Sequence, residues 1–431
     1  MNKDTSIKIE NNYLIYLFIL IPFGLVFSIF ITEIILIILT IFFLKKKNTS
    51  LKSLFWSDAI IKLIIIFYFI TIVSSLYNYN NLEIFLKNLA YIRFLLYAVT
   101  ISWVLKEYKI SEKYFLYSLI SIYILLFFGS VYEFILKKNC LKFTESNVPI
   151  FYGDFFFCSK NLFIGNLIRA DRISSFFGDE MILGSFVSRL FPLITYLIYH
   201  NFKNKNYVFF LITFITVVIV ILSGERVSLF YLFLFFIISL IFFNFQFKIL
   251  IFSTFLIFIF SVIFTFPVLK ERILTQTFSQ IFLENKKITF FSIQHESHAV
   301  AAIKIFKDNP ILGIGPKNFR FECKKKNYDV SKFSCTTHPH NFYIQLLTET
   351  GLLGVVIPLI FFFNILKFYI RIFFNKFNRS LKDIHIIQTC FYSSFLITFF
   401  PFIPTGNIFN NWLSIVFYLP IGFFIRSRKN D

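Results

Sequence analysis

The chain has 431 residues, of which 57% are hydrophobic and only 15% charged, with a mean hydropathy of +0.73. That balance excludes the soluble globular classes and leaves a polytopic helical membrane protein. A formal net charge of +20 would suggest a nucleic-acid partner in a soluble protein. Here the Lys and Arg flank apolar runs, so the charge reads as membrane topology and no nucleic acid is expected.

The apolar runs, roughly 16 to 25 residues each, match the ~30 Å of hydrocarbon a helix must cross. Residues 12–25 and 28–44 read as two spans, divided near Pro22 and Gly24. Further spans follow at 59–77, 89–105, 114–135, 181–199 and 207–222, then from Arg226 to near Asn244, and at 249–267. After a long polar stretch come 341–366, 384–400 and 411–425. Lys45 to Lys47, Lys106 to Lys113, Lys203 with Lys205, Lys367 to Lys382, and Arg426 to Lys429 mark the cytoplasmic side. Lys3 and Lys8 precede an apolar run with no small-residue cleavage site, so no cleavable signal peptide is expected. The expected fold is therefore all-α, a bundle of about twelve transmembrane helices with both termini inside. It divides into 1–267 (helices 1–9), one large outer loop at 268–339, and 340–431 (helices 10–12). On this topology the long loop, Arg172, Arg226 and His340 share the outer face.

The stretch from Thr337 to Gly354 places two histidines at the mouth of an apolar helix. Read as one continuous helix from Pro339, it returns Gly351 and Gly354, 11 and 14 residues on, to the face of His340. The two glycines then smooth that face for helix packing. A neutral imidazole accepts a proton from a hydroxyl, which makes His340 a general base; the bland alternative is a helix-start histidine facing water. Metal binding is the other option, since His295, His298, His338 and His340 share one loop. No zinc-ligand spacing is present, so neither metal nor cofactor is expected. Arg172 and Arg226 suit a diphosphate, because a planar guanidinium bonds phosphate oxygens in pairs. The bland readings are a snorkelling interface residue for Arg172 and a local ion pair with Glu225 for Arg226. His338, His298, Arg169, Arg189 and Arg320 are secondary candidates.

Cys323 and Cys335, 12 residues apart, would form a disulfide in an oxidising compartment and tether the histidine segment. Cys140 and Cys158 could form a second bridge, and Cys390 reads as a buried free thiol. The Gly313-Ile314-Gly315-Pro316 run reads as a tight turn, lacking the strand and Gly-Lys-Ser of a phosphate loop. Residues 296–307 read as an amphipathic helix along the membrane surface, with Ala299, Ile303 and Phe306 on its apolar face.

These residues resemble the O-antigen ligases and the related O-antigen polymerases of bacterial envelopes. The family pattern is His, then Asn, Ser or Gln, nine residues, Gly, two residues, and Gly, Thr or Tyr. His340-Asn341 through Gly351-Leu352-Leu353-Gly354 is similar to it without a gap. Leu222 to Arg226, Asn309 to Gly315, and Arg172 to Gly178 also look like the family. The resemblance implies a metal-independent, inverting glycosyltransferase at the periplasmic face of the inner membrane. Its donor would be a glycan on undecaprenyl diphosphate, its acceptor the lipid A core, and its surroundings membrane lipids. It also implies that Arg172 and Arg226 hold the diphosphate while His340 activates the acceptor hydroxyl. Two departures stand out: many members have an arginine near the position of His295, and Glu225 replaces a small residue. A polymerase joining lipid-linked repeats is the nearest alternative. A lipid or polysaccharide transporter is the more distant one, with Glu349 as its main mid-membrane ionisable group.

Overall fold

The computed structural model describes residues 13–46, 59–78, 81–136, 172–178, 180–243, 248–281, 292–376 and 383–428. These residues are overwhelmingly helical, and the only β contact among them is an isolated antiparallel bridge between Asn341 and Pro404. In chain order the helices are α1 (Ile21–Phe27), α2 (Ile29–Lys45), α3 (Ala59–Tyr77), α4 (Leu82–Leu89), α5 (Arg93–Glu107), α6 (Ser111–Leu136), α7 (Leu183–Asn201), α8 (Lys205–Leu222), α9 (Arg226–Phe242) and α10 (Lys248–Thr265). The arm Pro267–Gln280 (α11) is followed by α12 (Ile293–Asp308), α13 (Phe342–Lys376), α14 (Asp383–Phe399) and α15 (Asn411–Ser427).

Among the described residues, five helices are long and apolar enough to cross a membrane: Ala59–Tyr77, Leu82–Glu107, Ser111–Ile135, Lys205–Leu222 and Phe342–Phe374. A sixth arises if α10 and α11, bent by 105°, count as one span. The other expected spans coincide with helices that are shorter, interrupted or, for α7, less apolar. Residues 13–44 break at Ser28, whose extended backbone separates α1 from α2. The expected span at 89–105 begins earlier, at Leu82. Asn81 caps it there by accepting hydrogen bonds from the amides of Glu83 (2.8 Å) and Ile84 (3.4 Å).

The chain forms two compact units. One comprises residues 1–39, 104–277 and 372–397. Its central helix is α7, buried almost throughout between Leu183 and Ile198 and packed against α6, α8 and α9. The first turn of α7 approaches the α8–α9 connection so closely that a Cβ on Gly184 would meet Ser223 Oγ at 2.5 Å. The second unit comprises residues 40–103, 278–371 and 398–431. Here α15 is the buried helix, and Tyr91, Phe94, Phe409 and Tyr418 stack beside it with centroids 5.0 to 6.4 Å apart.

The expectation of an unbroken helix from Pro339 is corrected in this second unit. Helix α13 begins at Phe342, and it is broken at Gly351 (φ 65°, ψ −166°). His340 lies before the helix with φ 57°, in the left-handed region that a non-glycine residue rarely adopts. The periodicity argument that aligned His340 with the two glycines therefore fails, because helical rotation does not run through either residue.

The break has a partner. At the Asn309–Pro316 turn, Ile314 N donates to Thr348 O (3.0 Å), while Leu352 N donates to Pro310 O (2.9 Å). Backbone groups released by the break are thus satisfied by the turn, as burial requires. A Cβ on Gly351 would land on the carbonyl of Ile311, and one on Gly313 would fall 2.6 Å from Thr348 O and the Glu349 carbonyl carbon. Gly313 also has a positive φ of 64°. Gly354 has a different environment, its missing side chain leaving room for that of Thr350.

Gly351→Ala should therefore destabilise the protein. The left-handed backbone alone costs about 1–2 kcal/mol, and the collision with Ile311 adds to it. The midpoint of heat-induced aggregation in detergent measures this. The control is Gly406→Ala, whose added Cβ would meet only Leu413, at 3.6 Å; equal shifts in the two variants would refute the interlock.

Candidate functional site

Four histidines gather in the second unit. Helix α12 starts at Ser292, whose hydroxyl accepts from His295 N (3.4 Å), and presents His295 and His298 one turn apart. The Thr337–Asn341 segment brings His338 and His340. His340 is the centre: its ring centroid lies 4.0 Å from that of His338, 5.0 Å from His295 and 5.3 Å from His298.

The segment carrying His340 is pinned by residues 401–407. Thr405 N donates to His340 O (2.8 Å), and Asn341 Nδ2 donates to Pro401 O (2.8 Å). The Asn341 Oδ1 atom caps α13, accepting from the amides of Tyr343 and Ile344 at 3.1 Å each. One side chain thus starts the helix and ties it to the neighbouring loop, which holds His340 in its strained conformation. The Cys323–Cys335 disulfide secures the chain just upstream. Beneath it, Ala302, Ile305, Ile314, Phe319 and Cys323 form an apolar core. The buried face of α12 is His298, Ala301, Ala302 and Ile305. Ile303, expected on the apolar face, is instead exposed, because the helix rotates its small residues inward to pack on α13, where Thr348 Oγ1 donates to Ala302 O (3.2 Å).

His338 has a defined tautomer. Its Nε2 lies 3.2 Å from Thr405 O, which can only accept, so Nε2 carries the proton and Nδ1 accepts from the Thr337 hydroxyl at 2.9 Å. Both nitrogens are engaged. By contrast, the His340 ring makes no hydrogen bond among the described residues, and His298 Nδ1 is buried without a partner. Burial and the neighbouring imidazoles push His340 far below the ordinary imidazole value. Burial pushes His338 down to about 4 and lowers His298 as well. These rings are neutral at physiological pH, and the unpaired His340 nitrogen can receive a proton. Among the described residues, no group of three or more His, Cys, Asp or Glu is arranged to hold a metal ion.

The first unit holds the arginines. Arg226 opens α9 and donates from Nη1 to Thr277 Oγ1 (3.1 Å). The positive charge of Arg172 acts on both Glu225 and Arg226, which brings these three residues together. Arg172 Nε is buried without a hydrogen-bond partner. Glu225 is accounted for otherwise than by the simple ion pair with Arg226. Its carboxylate accepts from Gly184 N (2.8 Å), Ser185 N (3.1 Å) and the Ser228 hydroxyl (2.9 Å), capping the N-terminus of α7. Arg189 is buried within α7, donating to Tyr231 Oη (2.9 Å) and Ser185 Oγ (3.1 Å) and stacking on the Tyr231 ring. Arg320 lies near enough for its charge to act on His338. Arg169, Cys140 and Cys158 lie outside the described residues. Cys390 is a buried free thiol.

Two parts of this arrangement escaped the sequence reading. Residues 401–407 lie between two apolar helices, where Pro401, Pro404, Gly406 and Asn407 are a signal for a structured turn. Asn341 carries a second signal beside its place in the His340 pattern, since Asn directly before an apolar helix is a capping residue.

The histidines also predict a pH dependence of stability. In the unfolded chain His338 and His340 titrate near 6.5, whereas in the fold both stay neutral to lower pH. Below pH ~6.5 the unfolded chain binds protons the fold refuses, so stability falls by about 1.4 kcal/mol per pH unit for each histidine. Above that pH nothing is lost. Unfolding midpoints in detergent from pH 7.5 to 4.5 should show the decline, and His340→Gln should make it shallower; an equally steep decline would contradict the assignment.

Residues 209–359 match the family model described as O-antigen ligase. That stretch contains Arg226, the four histidines, the glycine turn and the break at Gly351. No curated protein matches the chain. Over residues 209–359 the chain is therefore similar to the O-antigen ligase family.

Proposed function

We propose that the protein transfers a glycan from undecaprenyl diphosphate onto a sugar of the lipid A core, at the periplasmic face of the bacterial inner membrane. The chain would cross that membrane about twelve times, a number of spans read from the apolar runs, with both termini in the cytoplasm. The observation that carries the reading is His340: a neutral imidazole without a hydrogen-bond partner, held in a strained backbone inside an O-antigen ligase stretch. In this reading the acceptor hydroxyl attacks the anomeric carbon and its proton passes to His340. The bond from that carbon to the diphosphate oxygen breaks, and the electron pair leaves with the diphosphate. Attack opposite the leaving group inverts the anomeric centre. Arg172 and Arg226 balance the departing negative charge, so the step is written without a metal.

Glu349 weighs against the transporter reading. It is fully buried and accepts hydrogen bonds from Gln345 Nε2 (2.9 Å) and Phe319 N (3.3 Å). Its carboxylate is occupied in fastening α13 to the loop rather than lining a route for cargo.

His340→Ala should abolish transfer by protein that still purifies as a folded membrane species; retained transfer would sink the proposal. Arg226→Lys should lose most activity if the diphosphate contact is bidentate, roughly 10-fold or more. Lipopolysaccharide gels of a deletion strain separate the two glycan reactions. Bare core with accumulated lipid-linked glycan marks a ligase, and core bearing a single repeat marks a polymerase.

A further inference from the structure

Next to the histidines, the second unit carries a group of cations that the proposed reaction does not use. Lys317 follows the Gly315-Pro316 turn with a positive φ of 68°. The charges of Arg93, Lys87 and Arg320 all act on it, against the single carboxylate of Glu349. Burial and those cations lower the Lys317 ammonium to about 8, so part of the population is uncharged near neutral pH unless an anion is present.

Several acids of this unit have partners of their own. Glu83 pairs with Lys87, and Glu322 with Lys325. Asp308 accepts from the Tyr328 hydroxyl, and Glu349 is held by Gln345 and Phe319 N. Arg93 donates to Ala90 O and Asn411 Oδ1, both neutral acceptors. Arg320 Nε is buried with no hydrogen-bond partner, and among the described residues neither Arg320 nor Lys317 makes an ion pair. Lys317 and Arg320, half-buried and without an ion pair among the described residues, are costly in the absence of a counter-ion.

The turn that carries them is fixed. Asn88 Nδ2 donates to Pro316 O (3.2 Å) and to Ser75 Oγ (2.8 Å), while Asn78 Nδ2 donates to Gly313 O (2.8 Å). Lys317 and Arg320 are therefore set by a rigid backbone three residues apart, and Arg320 reaches electrostatically to His338.

We propose that Lys317, Arg320 and Arg93 form a binding site for a phosphate group at the membrane surface, carried by the acceptor glycolipid or by a bilayer phospholipid. The guanidinium groups supply planar donors and Lys317 a point charge, the usual division of labour in phosphate recognition. Its residues all belong to the second unit, whereas Arg172 and Arg226 belong to the first, and only the naming of an acceptor rests on the transferase reading.

Two measurements test it. In the first, inorganic phosphate is titrated into the full-length His340→Ala protein and the thermal midpoint is followed, so that no transfer is needed. Phosphate should raise the midpoint, and adding Lys317→Met with Arg320→Gln should remove the response. The second measures kcat/KM in nanodiscs for intact and phosphatase-treated acceptor, with and without phosphatidylglycerol. If the acceptor supplies the phosphate, the double variant should lose about tenfold of the preference for intact acceptor. If a phospholipid supplies it, the loss should instead follow phosphatidylglycerol content. Wild-type behaviour of the double variant in both the phosphate titration and the nanodisc assays would overturn the site. An equal loss with treated and intact acceptor, explained by a weaker donor KM, would assign the cations to the donor and overturn it as well.

Discussion

Two glycines in distant segments each leave room for the backbone of the other's segment, and the geometry around the histidines depends on that exchange. Gly351 interrupts α13, and Gly313 sits at the tip of the turn that fills the interruption. Hydrogen bonds between the broken helix and the turn, among them those from Leu352 N to Pro310 O and from Ile314 N to Thr348 O, satisfy backbone groups at the interruption. Ser74 extends the lock by placing its hydroxyl within 2.5 Å of Leu312 O and 2.9 Å of Glu349 O. Glu349, Gln345 and Asn407 then carry it as a buried polar chain toward the 401–407 segment. That segment in turn holds His340. A fully satisfied network of this kind specifies one arrangement, because any shift strands a buried polar group.

The chemistry of the histidine cluster follows from what surrounds it. Four imidazoles crowd one another while, among the described residues, no carboxylate is hydrogen-bonded to His338 or His340, so each ring disfavours the protonation of the next. A carboxylate partner of the kind that orients many catalytic histidines would raise the basicity of His340. Here the ring is oriented by backbone constraint instead, through Thr405, Asn341 and its own left-handed φ. A ring so disposed is a weak base at rest. In the proposed reaction, negative charge arriving beside it would raise its basicity and so tie proton transfer to the presence of an anionic substrate.

Much of the helical order was legible because apolar run length is a coarse, cumulative signal. The boundaries of α3, α6, α8, α14 and α15 lie within a few residues of the runs read from sequence. His340, Arg226 and the cysteine pair were legible as polar exceptions in apolar surroundings. The break at Gly351 was not, since periodicity presumes a continuous helix, and a glycine looks the same whether it smooths a face or turns the chain. The reading of 296–307 erred by a rotation for a related reason: Ala301 and Ala302 carry little hydrophobic weight, yet they are the residues small enough to pack against α13. Lys317 and Arg320, three residues apart, carry little local signal, because Arg93 joins them only through the fold.

Glu225 shows how one acidic residue can alter the meaning of an adjacent arginine without pairing with it. A carboxylate beside Arg226 in sequence suggests mutual neutralisation. In the fold it crosses to α7, where the exposed amides of Gly184 and Ser185 and the helix dipole both favour a negative charge. Burial works in the other direction and raises its protonation tendency, opposed by those hydrogen bonds and by Arg172. Glu225 therefore anchors the turn preceding α9 to the most deeply buried helix of its unit, and so positions Arg226 at a helix start. The same Ser223-Gly224-Glu225 turn is held tightly because Gly184 leaves room for Ser223. An acid that caps one helix and thereby presents the first residue of another is a positioning device. The charge of Arg172 bears on that same acid, which makes Glu225 the element that ties the two arginines together.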